Sequence, residues 1–469
     1  MNKQTEINGP SAGFDADVES YERNVGSVGN RKITFVGASY KFVHKVLRDV
    51  LLVGGFEDIH ICLHDLNPVP LEMVGRLLEK IARQKKTNIV ISKTMILDDA
   101  LKGADVVILA INTGGDEADC RAAEVCNKYG IPVAIGDTLG PPALIRNLRT
   151  IPVCVDLVRR MEKLCPNAVM LNFTNPMSAI TGAMGQLSSI PSWGLCHSAD
   201  ELFSYFSKVF DCDKADVDMD VGGVNHQAFV TKLRIAGVDQ TSRMLEATTA
   251  SDALLEDNLL ETQQEDVDYQ KMICKMFGVW PSTGHTHLAE FYEYFLTDRM
   301  IAAHGLDGNL KKTEPNRAPK GPRQPHPIIL EWTNGPEPVG DLHLLTTEHA
   351  HELLWSVFTE KPFTRVLNVL NSGSFIQDLP TDACVEALVT VSGKKVTGTP
   401  IKLPPPIHSL VQRWTTIHQL SIDAAMTGDR QLACQALFLD PHVREFDDIE
   451  PLLDDLINQS RDWLPDHWA

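Results

Sequence analysis

The chain is expected to be an α/β protein: an N-terminal Rossmann-like, doubly wound parallel sheet followed by a C-terminal α+β domain. Three observations predict this. Short β-branched and apolar runs alternate with helical periods from residue 31 to about 195. One run, Ala104 to Ala110, is almost wholly apolar, as a parallel strand covered on both faces must be. The residues able to hold a ligand fall repeatedly where strands end.

Residues 1–30 are polar and rich in Gly and Ser, without periodicity, and are expected to form a mobile tail or an arm lying on a neighbour. Residues 31–195 are expected to form the dinucleotide-binding unit, and 196–469 the α+β domain. The first strand is Lys32-Ile33-Thr34-Phe35-Val36. It ends at Gly37-Ala38-Ser39 and leads into a helix with Phe42, Val46 and Val50 on one face. Asp58 to Asp65 is a second strand ending in an acid, Pro70 to Arg83 a helix, and Ile89 to Ile91 a third strand. Pro142 to Leu164 reads as a long helix. Val169 to Leu171 is a strand delivering Asn172-Phe173-Thr174-Asn175-Pro176, with Pro176 at a helix start, where its missing N–H costs nothing. Trp193 to Leu195 delivers Cys196. Gly37, Asp65, Asn112, Asn175 and Cys196 thus sit at strand ends, and one crevice is expected to join them. After about 210 the pattern shifts to longer helices and a few strands, such as Phe229 to Ile235. Residues 310–326, Pro-rich and basic, read as a surface loop.

With 469 residues, 43% hydrophobic and 22% charged, the chain has material for two domains or one large one. Its net charge of −19 argues against nucleic acid or an anionic membrane as partner. No stretch approaches the roughly 18–20 apolar residues of a membrane span, and the polar start, Met1 to Glu6, has no signal-peptide character. The ten cysteines show no CxxC spacing, which reads as reduced cytoplasmic thiols.

Gly37-Ala38-Ser39-Tyr40-Lys41-Phe42 keeps only the first glycine of the G-x-G-x-x-G fingerprint. Its context favours a dinucleotide all the same: it follows a strand, and it opens a helix whose N–H groups can hold pyrophosphate. The next strand ends at Asp65, a carboxylate for an adenosine ribose, which favours NAD over its phosphorylated relative. Gly37, Ser39, Asp65 and Asn112 are the candidate cofactor residues; the alternative is an ordinary tight turn. Cys196 and His226, in Gly194-Leu195-Cys196-His197-Ser198 and Gly223-Val224-Asn225-His226, offer a thiolate and an imidazole. These are good ligands for a transition metal and leave positions open for substrate. An inert buried thiol and a core histidine are the alternatives. Asn172 and Asn175 either contact substrate or cap a turn and the following helix.

At these motifs the chain resembles glycoside hydrolase family 4, the NAD- and manganese-dependent glycosidases. The likeness extends from Ile33–Phe42 through Gly136-Asp137-Thr138-Leu139-Gly140-Pro141 and Arg146–Pro152. It continues in Asn172–Met177, Gly194–Ser198, Gly223–His226, Gly278–Phe291 and Asn371–Pro380, and ends at Phe438-Leu439-Asp440-Pro441. The branch it is most similar to acts on unphosphorylated α-galactosides, α-glucosides or α-uronides. The resemblance implies a lactate/malate dehydrogenase-like scaffold and a cytoplasmic homodimer or homotetramer. It implies a route unlike the two-carboxylate glycosidases: hydride leaves C3 for NAD⁺, the C2 proton is removed, the C1 substituent is eliminated, water adds, and the hydride returns. It implies Mn²⁺ or another divalent transition metal at Cys196 and His226, Asn175 and Asn172 at the substrate, and His197 as the acid. Relatives carry an Asp after a glycine in the stretch matching Pro281–His287. Here that position is His285, a base near neutral pH, with His287 as the alternative. Two further readings stand beside the glycosidase: an NAD-dependent dehydrogenase of a sugar or hydroxy acid on the same scaffold, and a catalytically dead sensor.

Overall fold

β-branched and apolar runs make the central strands. Lys32–Val36 (β1), His60–His64 (β2), Val90–Thr94 (β3), Val106–Leu109 (β4), Val169–Asn172 (β5) and Ser192–Gly194 (β6) lie parallel in the order 3-2-1-4-5-6. The computed structural model describes residues 14–17, 28–40, 42–56, 58–244, 268–303, 325, 327–346 and 348–468, without the side chains of 14–17, 200, 268 and 285. Helices Val43–Leu52 (α1), Pro68–Lys85 (α2), Leu97–Leu101 (α3), Gly115–Lys128 (α4), Gly140–Leu164 (α5) and Met177–Gln186 (α6) link the strands. Their starts are written in the sequence. Asn67 caps α2 by accepting the Val69 N–H at 3.0 Å, and Pro68 takes the first helical position. α5 opens on Gly140-Pro141-Pro142. Pro176 sits at the N-cap of α6, after a cis Asn175–Pro176 bond.

Strand order reverses between β1 and β4, and the crevice outside the carboxyl ends at such a point is where sheets of this kind take ligands. Beneath it Ile33, Phe35, Val107, Ile108 and Leu171 are fully enclosed.

Beyond β6 the sheet does not stop. After helix Ser198–Val209 (α7), Val217–Val224 (β7) and Gln227–Ile235 (β8) form an antiparallel hairpin. Phe363–Leu370 (β9) lies antiparallel to β6 at Asn368 and Gly194. Cys384–Ser392 (β10) then joins β9 to β7. Among the described residues one sheet of thirteen strands results. The α+β part expected from residue 196 is therefore built onto the edge of the parallel sheet. A smaller apolar cluster around Phe206, Val230 and Trp280 fills its far side. Helices Asp268–Phe277 (α8) and His285–Glu290 (α9) close over the hairpin, with Trp280–Pro281 between them pairing with β8.

Within the expected tail, Phe14–Asp17 form a strand antiparallel to Leu344–Thr346 of the same chain. Residues 1–13 and 18–27 lie outside the described residues, as does the 310–326 stretch apart from Pro325. No helix among the described residues is long and apolar enough to cross a membrane.

Candidate active site

The crevice side comes first. Gly37 ends β1 with φ 86°, and a Cβ there would lie 2.2 Å from the carbonyl oxygen of Ala110. Only glycine lets the loops after β1 and β4 touch. The Gly37 and Ala38 N–H groups both donate to the His64 carbonyl at 2.9 Å, and the Ser39 N–H to Gly37 at 2.8 Å. Donors for a phosphate are thus left to the first turn of α1, the usual anion site of such folds. Asp65 stands one residue past β2, half-buried, its Oδ1 accepting the Asn67 N–H at 2.7 Å. Burial raises its pKa against that hydrogen bond, and burial and the Asp65 charge together raise that of Tyr40. The Asp65 charge is thus felt at Tyr40. Past β4, Asn112 donates through Nδ2 to Asp119 at 2.9 Å, while its Oδ1 is buried without a hydrogen-bond partner. Arg149, on α5 and enclosed, fixes this loop: Nε donates to the Thr113 carbonyl at 2.7 Å and a terminal nitrogen to Asp119 at 2.5 Å. Burial lowers its pKa to about 10.

On the other side of the crevice three segments converge. Asp137 lies in the loop leading to α5, His226 in the β7–β8 turn and His287 on α9. One ligand atom from each lies within 4.8 Å of the others. The His226 and His287 rings are 3.9 Å apart between centroids. His226 occupies the left-handed region, φ 64°, in a two-residue turn between Val224 and Gln227. A histidine held there costs about 1–3 kcal/mol, and such positions gather at functional sites.

The hydrogen bonds fix which nitrogen is available. The Thr138 hydroxyl lies 2.7 Å from Asp137 Oδ1 and 2.9 Å from His226 Nδ1. It has one hydrogen, and a carboxylate only accepts. The hydroxyl therefore donates to Asp137 and accepts from Nδ1–H, so the lone pair of His226 sits on Nε2. Asn175 donates through Nδ2 to the other Asp137 oxygen at 3.0 Å, and its own Oδ1 is buried without a hydrogen-bond partner. Burial pushes the Asp137 pKa up, but His287, His226 and Arg146 outweigh it and keep the carboxylate ionised. Burial, then His287, keeps His226 well below the ordinary histidine value. A carboxylate and two imidazoles with open positions suit manganese or iron, so this donor set fits a catalytic divalent metal.

Cys196 is the thiol expected to accompany His226 at the metal. It is buried at the end of β6, its Sγ 3.4 Å from the Ser198 hydroxyl, and it is not one of the three groups that meet within 4.8 Å. The side chain of Asn225, the neighbour of His226, favours its thiolate form. Burial and the Glu386 charge push its pKa up to about 12. Asn172 ends β5. It is fully enclosed, its amide accepting the Thr174 N–H at 2.8 Å and donating to the Thr174 carbonyl and the Thr181 hydroxyl. It shapes the turn that presents Asn175. His197 is exposed at the start of α7, with Nε2 3.9 Å from Glu201. The backbone of His285 opens α9, and its side chain lies outside the described residues. The sequence motifs alone give Asp137 and Thr138 no role. Their signal was the Gly136-Asp137-Thr138 run just ahead of a Pro-initiated helix.

Residues 32–209 match the model of "Family 4 glycosyl hydrolase", and residues 221–443 that of its C-terminal domain. An α-galactosidase of Bacillus subtilis is 29% identical over 450 residues, spanning 93% of this chain and all of its own length. An α-galacturonidase of Thermoanaerobacterium saccharolyticum is 27% identical over 79% of this chain and 82% of its own. The 6-phospho-β-glucosidase of Thermotoga maritima, solved with manganese, NAD⁺ and glucose-6-phosphate, superposes with a TM-score of 0.72 at 19% identity, over 93% of this chain and 99% of its own.

Proposed function

The chain belongs to the family 4 glycosyl hydrolases, and on that premise we propose that it hydrolyses a small unphosphorylated glycoside using NAD and a divalent metal, manganese foremost. One observation carries the reading: the meeting of Asp137, His226 and His287 within 4.8 Å, in a chain whose 3-2-1-4-5-6 sheet offers a dinucleotide crevice. Gly37, Ser39, Asp65 and Asn112 are assigned to the dinucleotide. Asp137, His226 through Nε2, and His287 are assigned to the metal, with the Cys196 thiol as a further donor. When bound, the dinucleotide supplies reversible hydride acceptance and the metal acidifies a sugar hydroxyl and the C–H beside it.

The remaining work falls to the chain itself. His197, at the open end, holds the proton for the departing oxygen. His285, two residues before His287 on α9, accepts the proton from C2. Asn175, anchored to Asp137 by Nδ2, offers its unpartnered Oδ1 to a sugar hydroxyl. The protein is taken to work in the cytoplasm as a homodimer or homotetramer, with neither nucleic acid nor membrane as partner.

Hydrolysis of nitrophenyl glycosides in D₂O, with NAD⁺, Mn²⁺ and a thiol reductant, tests the reading. Deuterium at C2 of the product sugar is expected, with no net NADH. Product free of C2 deuterium, formed equally fast without NAD⁺, overturns it. A keto sugar with stoichiometric NADH identifies a dehydrogenase instead.

A further inference from the structure

Glu290 is a fully buried carboxylate to which the reaction above assigns nothing. Helix α9 carries it one turn after His287. Its Oε1 accepts three consecutive backbone N–H groups, those of Ala134, Ile135 and Gly136, at 3.0, 2.6 and 2.8 Å. The next residue is Asp137. Successive amides converging on one anionic oxygen form a nest, and hydrogen bonds to an ionised acceptor are about twice as strong as neutral ones. Burial raises the Glu290 pKa to about 7, opposed by the Ile135 and Gly136 N–H groups and by the charge of buried His442, whose Nδ1 lies 2.9 Å from Asp440 Oδ1. Glu290 Oε2 and His442 Nε2 are both buried without hydrogen-bond partners.

We propose that Glu290 is a positioning residue: by joining the helix that carries His287 to the loop that carries Asp137, it sets the distance between two of the three groups that grip the metal. The inference rests on the assignment of Asp137, His226 and His287 to a metal. α9 is only six residues long and has little rigidity of its own. The loop before Asp137 has no strand pairing in the described structure. One carboxylate supplies what neither segment has, a fixed separation across the site.

Two measurements on the full-length protein test it. In metal-free protein, amide hydrogen exchange at residues 134–136 is expected to speed up at least tenfold in Glu290→Ala, and less in Glu290→Gln, which keeps an acceptor oxygen but not the charge. Manganese binding, followed by the EPR signal of free Mn²⁺, is expected to weaken about 10- to 100-fold in Glu290→Ala, the usual cost of losing a group that orients a ligand. Glu290→Gln is expected to lie between that and wild type. Unchanged exchange at 134–136, or unchanged Mn²⁺ affinity of the folded fraction, overturns the proposal, even if total activity falls. Should Glu290→Ala not fold, Glu290→Gln with wild-type exchange and affinity overturns it equally. If wild-type protein binds no Mn²⁺, the metal assignment is what fails, and faster exchange in the variants still reports the link itself.

Discussion

Replacing Thr138 by valine removes one hydroxyl and almost no volume, and the effect follows from two distances. The hydroxyl is 2.7 Å from Asp137 Oδ1 and 2.9 Å from His226 Nδ1, in a buried setting. Without it Nδ1–H is a buried donor facing a methyl group, at about 1–3 kcal/mol, and Asp137 loses one of its two described neutral donors. The imidazole can relieve the first cost by moving its proton to Nε2, which is the atom the metal needs. Binding must then reverse that shift, so the cost reappears as affinity. The expected loss of Mn²⁺ affinity is about 10- to 100-fold, or about 1.4–2.7 kcal/mol. Thr138→Ser keeps the hydroxyl and should retain affinity within a few-fold. Mn²⁺ titration of both variants beside thermal unfolding separates grip from stability. If Thr138→Val binds Mn²⁺ like wild type, the tautomer assignment and the role of His226 Nε2 are both wrong.

Other expectations follow from the same structure. Asp65→Ala should weaken NAD⁺ binding by about 1–3 kcal/mol; unchanged affinity in calorimetry removes Asp65 from the cofactor site. Cys196→Ser should abolish Mn²⁺-dependent turnover with circular dichroism unchanged, because a hydroxyl is not an anionic ligand at neutral pH; wild-type turnover would leave Cys196 a core thiol. His418, enclosed on helix Pro405–Thr427, has its pKa lowered by burial to about 4. The unfolded chain therefore takes up its proton first as pH falls. Its contribution is whole above about 6.5 and fades by about 3 kcal/mol on the way to pH 4. His418→Leu should flatten denaturant-measured stability across that window, and an unaltered acid slope would show His418 to be solvated.

The scaffold was legible because each parallel strand carries its own evidence. β1 lies where Lys-Ile-Thr-Phe-Val reads as a strand, and the turn glycine, the Asn67 cap and the prolines of α5 mark boundaries locally. The extension of the sheet was not. β9 pairs with β6 although many residues separate them, and no local pattern names a partner so distant. The site divides the same way. Strand ends gave Gly37, Asp65, Asn112, Asn175 and Cys196 their places. The meeting of Asp137, His226 and His287 depends on a loop, a hairpin turn and a short helix, whose relative placement is a property of packing. Asn172 is a different case. Its motif allowed a substrate contact or a turn cap, and its amide is bonded to Thr174 in the turn and to Thr181 on α6.

The shared sheet also limits how the protein can move. Asn368 is hydrogen-bonded across from Gly194, fully enclosed, and its amide reaches Met177 and Glu386 on either flank. Opening the crevice like a clamshell would tear backbone pairing and uncover polar groups with nothing to replace their bonds. Entry and exit of a sugar must instead be managed by peripheral segments, while the floor beneath stays still. Denaturation should accordingly proceed in one step, without a surviving half.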